Sequence, residues 1–254
     1  MFPSLLYSCE TWGYIKNLEN TLHLIERKAL RACLGVKKGT PDDILYVEIN
    51  KPDIIASIYL RQHNFYRKFI ELDSGTCTAK SIWQKFMMVD DTMDKSFLEH
   101  YELMEPQPLC YNIEKKRNNI AISTKAMLIR YRELFNLEYN DILYNSMVDD
   151  AYRTIITRWR LSCHSLFIET GRYKIPYIPR DERKCMVCGT LEDESHALFD
   201  CRVHLSIRDT YKDLLKEYPS TSQMLNPKKE IDIIKIAKYI REIEKNMRDM
   251  KMIR

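Results

Sequence analysis

Three cysteines and one histidine lie close together in the chain, at Cys185, Cys188, His196 and Cys201. The two residues between Cys185 and Cys188 let both thiolates hold one ion across a tight turn. The four residues between His196 and Cys201 predict that this second pair lies about one helical turn apart on a common face. Three thiolates and one imidazole fill a tetrahedral site, so the pattern predicts a structural Zn²⁺ ion rather than a catalytic one. His204 is an alternative ligand in place of His196 or Cys201.

Charge is distributed unevenly along the chain. The formal net charge of +4 divides into −3 for residues 1–114 and +7 for residues 115–254. Residues 185–201 carry four acidic side chains and no Lys or Arg, so this loop should repel phosphate even with Zn²⁺ bound. We therefore expect the metal to stabilise the fold and the basic flanks to bind a polyanion, although scattered solubilising charge would give the same totals.

The candidate nucleic-acid contacts combine cations for phosphates with aromatic rings for stacking on bases. The candidate cations are Arg153, Arg158, Arg160, Arg172, Lys174, Arg180, Arg183 and Lys184. The candidate rings are Trp159, Tyr173 and Tyr177. Trp159 has an equal alternative in the core, because an amphipathic helix must bury part of its surface. A separate alternative applies to the cations, of which as many as five would be ordinary solvated surface.

Periodic apolar residues, with only six glycines and nine prolines, predict a mainly α fold. Gly35 is the predicted C-cap of the first helix, and Thr40 and Ser123 are predicted N-caps. Prolines at 106 and 108 predict a linker that reaches to about residue 119. The predicted helices span residues 14–34, 41–48, 52–72, 78–88, 94–103, 123–135, 149–163, 194–217 and 229–252.

The last predicted helix carries apolar residues at alternating steps of three and four: Ile233, Ile236, Ile240, Ile243, Met247 and Met250. This seam covers about three heptads, the minimum for a coiled coil, and would serve a homodimer. The alternative is an amphipathic helix that folds back on the chain's own core.

Several classes of function are disfavoured by what the sequence lacks. No run approaches the ~18 apolar residues of a membrane span, and the N-terminus does not resemble a secretory signal. The chain has no phosphate-binding glycine loop, nucleophile elbow or His-Glu-x-x-His motif. We interpret the pairs Asp90-Asp91 and Asp149-Asp150 as N-cap and first-turn acids of helices. We expect an intracellular protein, in the nucleus and/or cytoplasm, with no catalytic residue, no small-molecule substrate and no membrane partner.

Two stretches resemble the non-LTR (LINE-type) retrotransposon reverse transcriptases. Residues 5–13 (LLYSCETWG) are similar to the LLYGxETW segment that follows the polymerase palm in that family, and Leu30-Arg31, Leu34-Gly35-Val36 and Thr40-Pro41 follow in the family's order. Residues 160–201, with Arg160-Leu161-Ser162, His164, Gly171-Arg172-Tyr173 and the Cys-Cys-His-Cys (CCHC) cluster, resemble the family's C-terminal zinc-binding region. Ser8 replaces the usual glycine, and Glu48-Ile49-Asn50 replaces Glu-Leu-Gly.

This resemblance implies that the chain begins after the catalytic palm and lacks both the polymerase and the endonuclease sites. The implied fold is a helical thumb-like region, then a helical domain with a small zinc-stapled loop, then a long C-terminal helix. The implied domains are residues 1–105 (thumb-like), 106–122 (linker), 123–225 (basic and zinc-binding) and 226–254 (C-terminal helix). The implied function is binding of RNA and/or DNA. Two alternatives stay open: a zinc-stabilised interaction or dimerisation module, and a non-functional transposon relic.

Overall fold

The fold of this chain is mainly helical, as the sequence predicts. The computed structural model describes residues 6–9, 18–71 and 109–252. Among them no strand is present, and the only β-type pairing is an isolated antiparallel bridge between Lys184 and Leu191. The helices are α1 (Glu19–Leu34), α2 (Asp42–Glu48), α3 (Ile54–Glu71), α4 (Leu109–Ala121), α5 (Ala126–Phe135), α6 (Asp141–Asn145), α7 (Asp150–Arg160), α8 (Phe167–Thr170), α9 (Leu205–Thr210), α10 (Lys212–Glu217), α11 (Thr221–Met224) and α12 (Glu230–Met252).

The chain divides into two compact units. One comprises Met1–Ala29 and Asn50–Lys116, and the other comprises Leu30–Ile49 and Arg117–Arg254. The predicted domains differ from this division, because residues 30–49 cluster with the second unit and the C-terminal helix belongs to that unit as well. Residues 109–121, which the nearby prolines predicted as linker, form helix α4. The helices predicted at 78–88 and 94–103 lie outside the described residues.

The first unit has an apolar core made by α1, α3 and a short N-terminal segment. Its buried members are Cys9, Leu22, Ile54, Ile55 and Ile58. The backbone oxygen of Cys9 accepts a hydrogen bond of 3.0 Å from the side-chain amide of Gln62 on α3. The described part of the segment that resembles the reverse transcriptases therefore contributes to a packed core.

Asp53 connects the beginning of α3 to α4. Its Oδ1 accepts a hydrogen bond of 2.9 Å from the backbone N–H of Ala56, which caps the helix. Its Oδ2 accepts hydrogen bonds of 3.0 Å from Asn112 Nδ2 and from Lys116 Nζ. Burial alone would raise the pKa of this carboxyl, but the Ala56 and Asn112 hydrogen bonds and the charge of Lys116 outweigh burial and lower the pKa below 3.8.

Helix α12 supplies the core of the second unit and packs against α7. Ile233, Ile236, Ile240 and Ile243 are fully buried, and Met247 is only 9% exposed. On α7, the indole N–H of Trp159 donates a hydrogen bond of 2.9 Å to Glu244 of α12. The predicted apolar seam is thus covered by the chain's own core, which is the second of the two alternatives, and its isoleucines are not exposed to a second copy.

A buried charge cluster fixes α2 against α5, α6 and α7. Arg160 forms a two-pronged ion pair with Glu48, with both side chains fully buried. The phenol groups of Tyr131 and Tyr144 donate to the same carboxylate. Burial and the negative charge of Glu48 raise the pKa of both tyrosines well above 10, so both stay protonated donors. The guanidinium also donates to the backbone oxygen of Leu225, at 3.0 Å.

Gly35 ends α1, as predicted. Its φ of +64° lies in the left-handed region, and the N–H of Val36 returns to the oxygen of Arg31 at 3.0 Å. A β-carbon at Gly35 would lie 2.3 Å from Thr154 Cγ2 on α7. Both the backbone and the packing of the second unit therefore require glycine here. Thr40, the predicted N-cap of α2, is not its cap: Pro41 holds that position, and the Thr40 hydroxyl lies 3.3 Å from the Cys163 thiol.

Candidate metal centre and nucleic-acid interface

The structure brings the four predicted metal ligands together. One ligand atom from each of Cys185, Cys188, His196 and Cys201 lies within 4.8 Å of the others. The Cys201 sulfur is 3.8 Å from both the Cys185 and the Cys188 sulfur. A tetrahedron with metal–sulfur bonds of about 2.3 Å has sulfur–sulfur edges of about 3.8 Å. These four residues form a cluster that could hold one metal ion.

A short hairpin positions the first two cysteines. The backbone N–H of Cys185 donates to Thr190 at 2.7 Å, and that of Gly189 donates back to Cys185 at 2.8 Å. Gly189 has a φ of +73°, a backbone conformation that residues with a β-carbon seldom adopt. The N–H of Arg202 points to the Cys188 sulfur at 3.4 Å. The turn therefore holds both thiols toward the same point.

A π-helical turn over His196–Asp200 positions the other two ligands. The N–H of Cys201 donates to the backbone oxygen of His196, five residues earlier, at 2.7 Å. In an α-helix residues five apart point about 140° away from each other, so the predicted common face would not exist. A π turn contains more residues per turn than an α-helix, so His196 and Cys201 come closer to the same face. The predicted continuous helix over 194–217 is therefore wrong: the chain makes the π turn, then a 3-10 turn at Arg202–His204, then α9 and α10.

His196 has one ring nitrogen available for a metal. Its Nδ1 lies 3.0 Å from the Thr190 hydroxyl, whereas its Nε2 is buried and has no hydrogen-bond partner. A hydrogen bond at one imidazole nitrogen fixes the tautomer that leaves the other nitrogen as an electron-pair donor. Buried polar atoms normally have a partner, and a metal ion held by the three neighbouring thiols would supply one for this nitrogen. His204, the alternative ligand, instead places its Nδ1 3.2 Å from Asn246 Nδ2 on α12.

The cysteines differ in how readily they ionise without a metal. Burial, together with the nearby Cys185, raises the pKa of Cys201 to about 12. Partial burial also raises the pKa of Cys188, but hydrogen bonds from the Arg202 N–H and the neighbouring thiols outweigh this and lower it. A divalent cation would favour the thiolate form at every one of these sulfurs.

Most acidic residues of the loop serve its attachment to the fold. Glu194 is fully buried, accepts a hydrogen bond of 2.8 Å from His164 Nε2, and is paired with Arg130 of α5. Glu192 accepts from the N–H of Phe167 at 2.9 Å, and Asp193 caps the N–H of His196 at 2.9 Å. The negative charge of the loop is therefore largely committed to internal partners, and Asp200 remains exposed.

One side of the cluster borders a small apolar recess. It is lined by Met186 and Val203, together with Met247 and Met250 from the end of α12. Apolar surroundings limit the access of water to metal-bound sulfur. Half-buried Met250 and nearly buried Met247, which the sequence assigned to a dimer seam, thus border the cluster in this chain.

Three of the predicted nucleic-acid contacts are structural instead. Trp159 and Arg160 are 1% and 2% exposed, and their polar atoms bind Glu244 and Glu48. Arg183 is 5% exposed and donates to the backbone oxygens of Ile168 and Ile178, at 2.8 and 3.0 Å. Trp159 thus has the core position that was its equal alternative, and the polar atoms of all three side chains are engaged by internal partners, up to 112 residues away in sequence.

Arg153 and Arg158 are half-buried and partly engaged. Arg153 pairs with Asp150 and donates to the backbone oxygen of Ser146 at 3.1 Å. Arg158 approaches the backbone oxygen of Cys163 at 3.5 Å. Asp149 caps α7 through the N–H of Ala151, at 2.8 Å, so the interpretation of Asp149 and Asp150 as helix-start acids is confirmed. Asp90 and Asp91 lie outside the described residues.

The remaining predicted contacts cluster on the segment that leads into the first ligand. Tyr173, Lys174, Tyr177, Arg180 and Lys184 are all exposed, and Arg172 is half-buried. Among the described residues, Lys174, Arg180 and Lys184 form no ion pair. Arg180 borders a polar cleft shared with Arg130 and Phe199. Residues 172–184 therefore present three unpaired cations and exposed aromatic rings immediately before the metal cluster, together with the exposed carboxylates of Asp181 and Glu182.

Sequence analysis missed a second basic surface, on the outer face of α12. Lys238, Arg241, Lys245 and Arg248 follow one another at steps of three and four and are all exposed. They span about 15 Å along the helix axis. Two acids of this helix, Asp232 and Glu242, accept hydrogen bonds from Tyr218 and Tyr211, at 2.6 and 2.7 Å. Glu242 and Asp249 are exposed acids next to the stripe.

This basic stripe, Lys238 to Arg248, was detectable in the sequence. Its four cations have the same helical spacing as the isoleucines, displaced around the axis. The prediction for this helix considered only its apolar positions and therefore did not include the cations.

Among the described helices, none has the length and apolar character to cross a membrane.

No protein-family model, curated protein sequence or solved structure matches this chain. The similarity to LINE-type reverse transcriptases accordingly stays a prediction that rests on the quoted residues.

Proposed function

We propose that this chain is a nucleic-acid-binding module, of the kind that follows the palm in LINE-type reverse transcriptases, and that a structural Zn²⁺ ion stabilises it. The observation that carries the proposal is the exposed segment 172–184, whose unpaired cations and aromatic rings lead directly into the cysteine–histidine cluster. Exposed cations that form no ion pair can replace the counterions of phosphate.

Zinc suits the ligand set better than other common ions. Three thiolates and one imidazole in a tetrahedral arrangement favour Zn²⁺, and a filled coordination sphere leaves no position for substrate. The ion would bind Cys185, Cys188, Cys201 and Nε2 of His196, and would hold the hairpin against the π turn. Its contribution is folding energy, which positions the segment that precedes it.

The basic stripe of α12 supports the same function. Phosphates lie on the outside of every nucleic acid, so a row of cations held by a rigid helix can contact several of them without reading sequence. The competing proposal, a homodimer through the α12 seam, has less support, because the four isoleucines of the seam are fully buried in the single chain.

A salt titration of binding tests the proposal. A fluorescently labelled structured RNA is titrated by anisotropy at several salt concentrations, with the wild type and with a variant carrying Lys174→Gln, Arg180→Gln and Lys184→Gln. For the wild type we expect a log K against log[salt] slope of about −3 to −5, reduced in magnitude by about 2 in the variant.

The matched control neutralises three exposed lysines elsewhere, Lys28, Lys38 and Lys125. This control variant should keep the wild-type slope. If the wild type does not bind RNA or DNA even at low salt, the proposed function is rejected. If both variants weaken binding equally, the binding is diffuse and segment 172–184 is not its site.

A further inference from the structure

Segment 172–180 exposes three large side chains within five residues. Tyr173 and Tyr177 are 64% and 65% exposed, and Ile175 between them is 98% exposed. Single exposed apolar residues are common on protein surfaces, but three in so short a segment form a patch that a ligand would cover. The patch adjoins the unpaired cations of Lys174 and Arg180.

Each tyrosine ring is backed by an arginine. The guanidinium of Arg172 lies over the Tyr173 ring, 5.7 Å from its centroid, and that of Arg183 lies over the Tyr177 ring at 5.4 Å. Both tyrosines remain about two-thirds exposed, so most of each ring is open to solvent although an arginine lies against it.

The two arginines are themselves held in place. Arg172 is paired with Glu169, with 3.1 Å between Nη2 and Oε2. Buried Arg183 donates to the backbone oxygens of Ile168 and Ile178, and its Nη2 lies 3.1 Å from the Tyr177 hydroxyl. Gly171 allows this packing, because a β-carbon there would lie 2.9 Å from the Arg183 side chain. The rings are therefore oriented before any ligand binds, which lowers the entropic cost of binding.

We infer that Tyr173 and Tyr177 form a stacking platform for unpaired bases, so that the module prefers single-stranded over duplex nucleic acid. An open aromatic face binds the face of a base, and in a duplex those faces are already covered by neighbouring base pairs. Lys174, Arg180 and Lys184 then contact the phosphates between the stacked bases, and Ile175 packs against the same bases. This inference rests on the proposed function and names its ligand class.

The experiment compares a 12-nucleotide single-stranded DNA carrying 2-aminopurine with its duplex. Binding is measured by anisotropy and base stacking by the 2-aminopurine fluorescence. The variants are Tyr173→Ala/Tyr177→Ala, the ring-preserving Tyr173→Trp/Tyr177→Trp, and the triple charge variant of segment 172–184. Circular dichroism and metal content check that each variant is folded, which is expected because both tyrosines are exposed.

We expect the alanine variant to lose single-strand affinity at least about fivefold per ring and to lose the fluorescence change, with duplex binding unaltered and the tryptophan variant close to wild type. If the alanine variant binds both probes like the wild type while the charge variant weakens both, the platform is rejected and the proposed function stands. If the wild type binds neither probe, both the platform and the proposed function are rejected.

Discussion

Arg160 shows how a single residue changes role once its partners are known. It lies at the end of a basic helix, where a phosphate contact was predicted, yet it is fully buried against Glu48 and two tyrosines. Burial lowers the pKa of a guanidinium, but the charge of Glu48 outweighs this and raises the pKa of Arg160 above its usual value. Its positive charge is therefore permanent and internal, and it stabilises the position of α2.

We predict that Arg160→Met destabilises the fold without changing the nucleic-acid affinity of the folded protein. Removal of one partner leaves Glu48 as an unpaired buried charge, which costs about 3–5 kcal/mol. Urea unfolding measures this loss, and the double variant Glu48→Gln/Arg160→Met should lose less than the sum of the two single variants. Arg158→Met, at a half-buried site, is the control. Normal stability with weakened RNA binding would restore Arg160 as a phosphate contact.

The Asp53 carboxylate should make the stability of the fold depend on pH. Its pKa in the folded chain lies below 3.8, so its contribution to stability is fully present above the pKa of the unfolded chain and is lost as the pH falls through the lowered value. Asp53→Asn keeps a capping side chain but removes the charge that pairs with Lys116. The stability difference between wild type and variant should therefore shrink between about pH 5 and pH 3 in urea unfolding. A difference that stays constant would show that the ion pair contributes nothing.

At the scale of elements, local signals predicted the existence of helices better than their caps. Gly35 ends α1 as predicted, whereas Thr40 and Ser123 are not N-caps, because Pro41 and Lys125 hold those positions. The segment from His196 to Cys201 was predicted as an ordinary helix because its composition permits one. The π turn is required only because two ligands must converge with a hairpin that lies earlier in the chain. Periodicity carries no information about such convergence.

The cluster yields a prediction about metal. Cys188→Ser should reduce zinc content from about one ion per chain to near zero and increase hydrogen exchange over residues 183–201, because structural zinc affinity is folding energy. Cys33→Ser is the matched control, since Cys33 is exposed and distant in sequence from the cluster. Elemental analysis of purified protein measures the outcome. Full zinc content in Cys188→Ser would reject the ligand assignment.

The basic stripe of α12 yields a prediction about salt dependence. Replacement of Lys238, Arg241, Lys245 and Arg248 by Gln should reduce the magnitude of the log K against log[salt] slope for duplex DNA by about three to four, at about 0.9 per phosphate contact. These side chains are exposed, so the fold should be unaffected. Neutralisation of Lys28, Lys38, Lys115 and Lys125 is the control for total charge. An unchanged slope would remove the stripe from the interface.

At the scale of the whole molecule, burial distinguishes between the alternatives that the sequence left open. The apolar seam of α12, read as a possible surface for a second copy, lies in the core, and the cations of α7, read as a surface, are partly buried. Mainly helical architecture and the ligand set could be predicted because they depend on local composition and spacing. Which face of a helix is covered depends on segments that are distant in the chain, as when Glu48 at the end of α2 pairs with Arg160. Periodicity within one helix does not show which distant segment will cover it.

The role of the α12 seam can be decided through protein concentration. Ile240→Ala should lower the free energy of unfolding by about 2–5 kcal/mol, because it removes methyl and methylene groups from a fully buried site. If the seam packs within one chain, the unfolding midpoints of wild type and variant stay constant over a hundredfold range of protein concentration. A seam shared by two copies would instead couple unfolding to dissociation, so the midpoints would rise with concentration and sedimentation would show a dimer that Ile240→Ala weakens. Constant midpoints with a destabilised variant would assign the heptad pattern to the core, and leave the outer, basic face of the same helix free for nucleic acid.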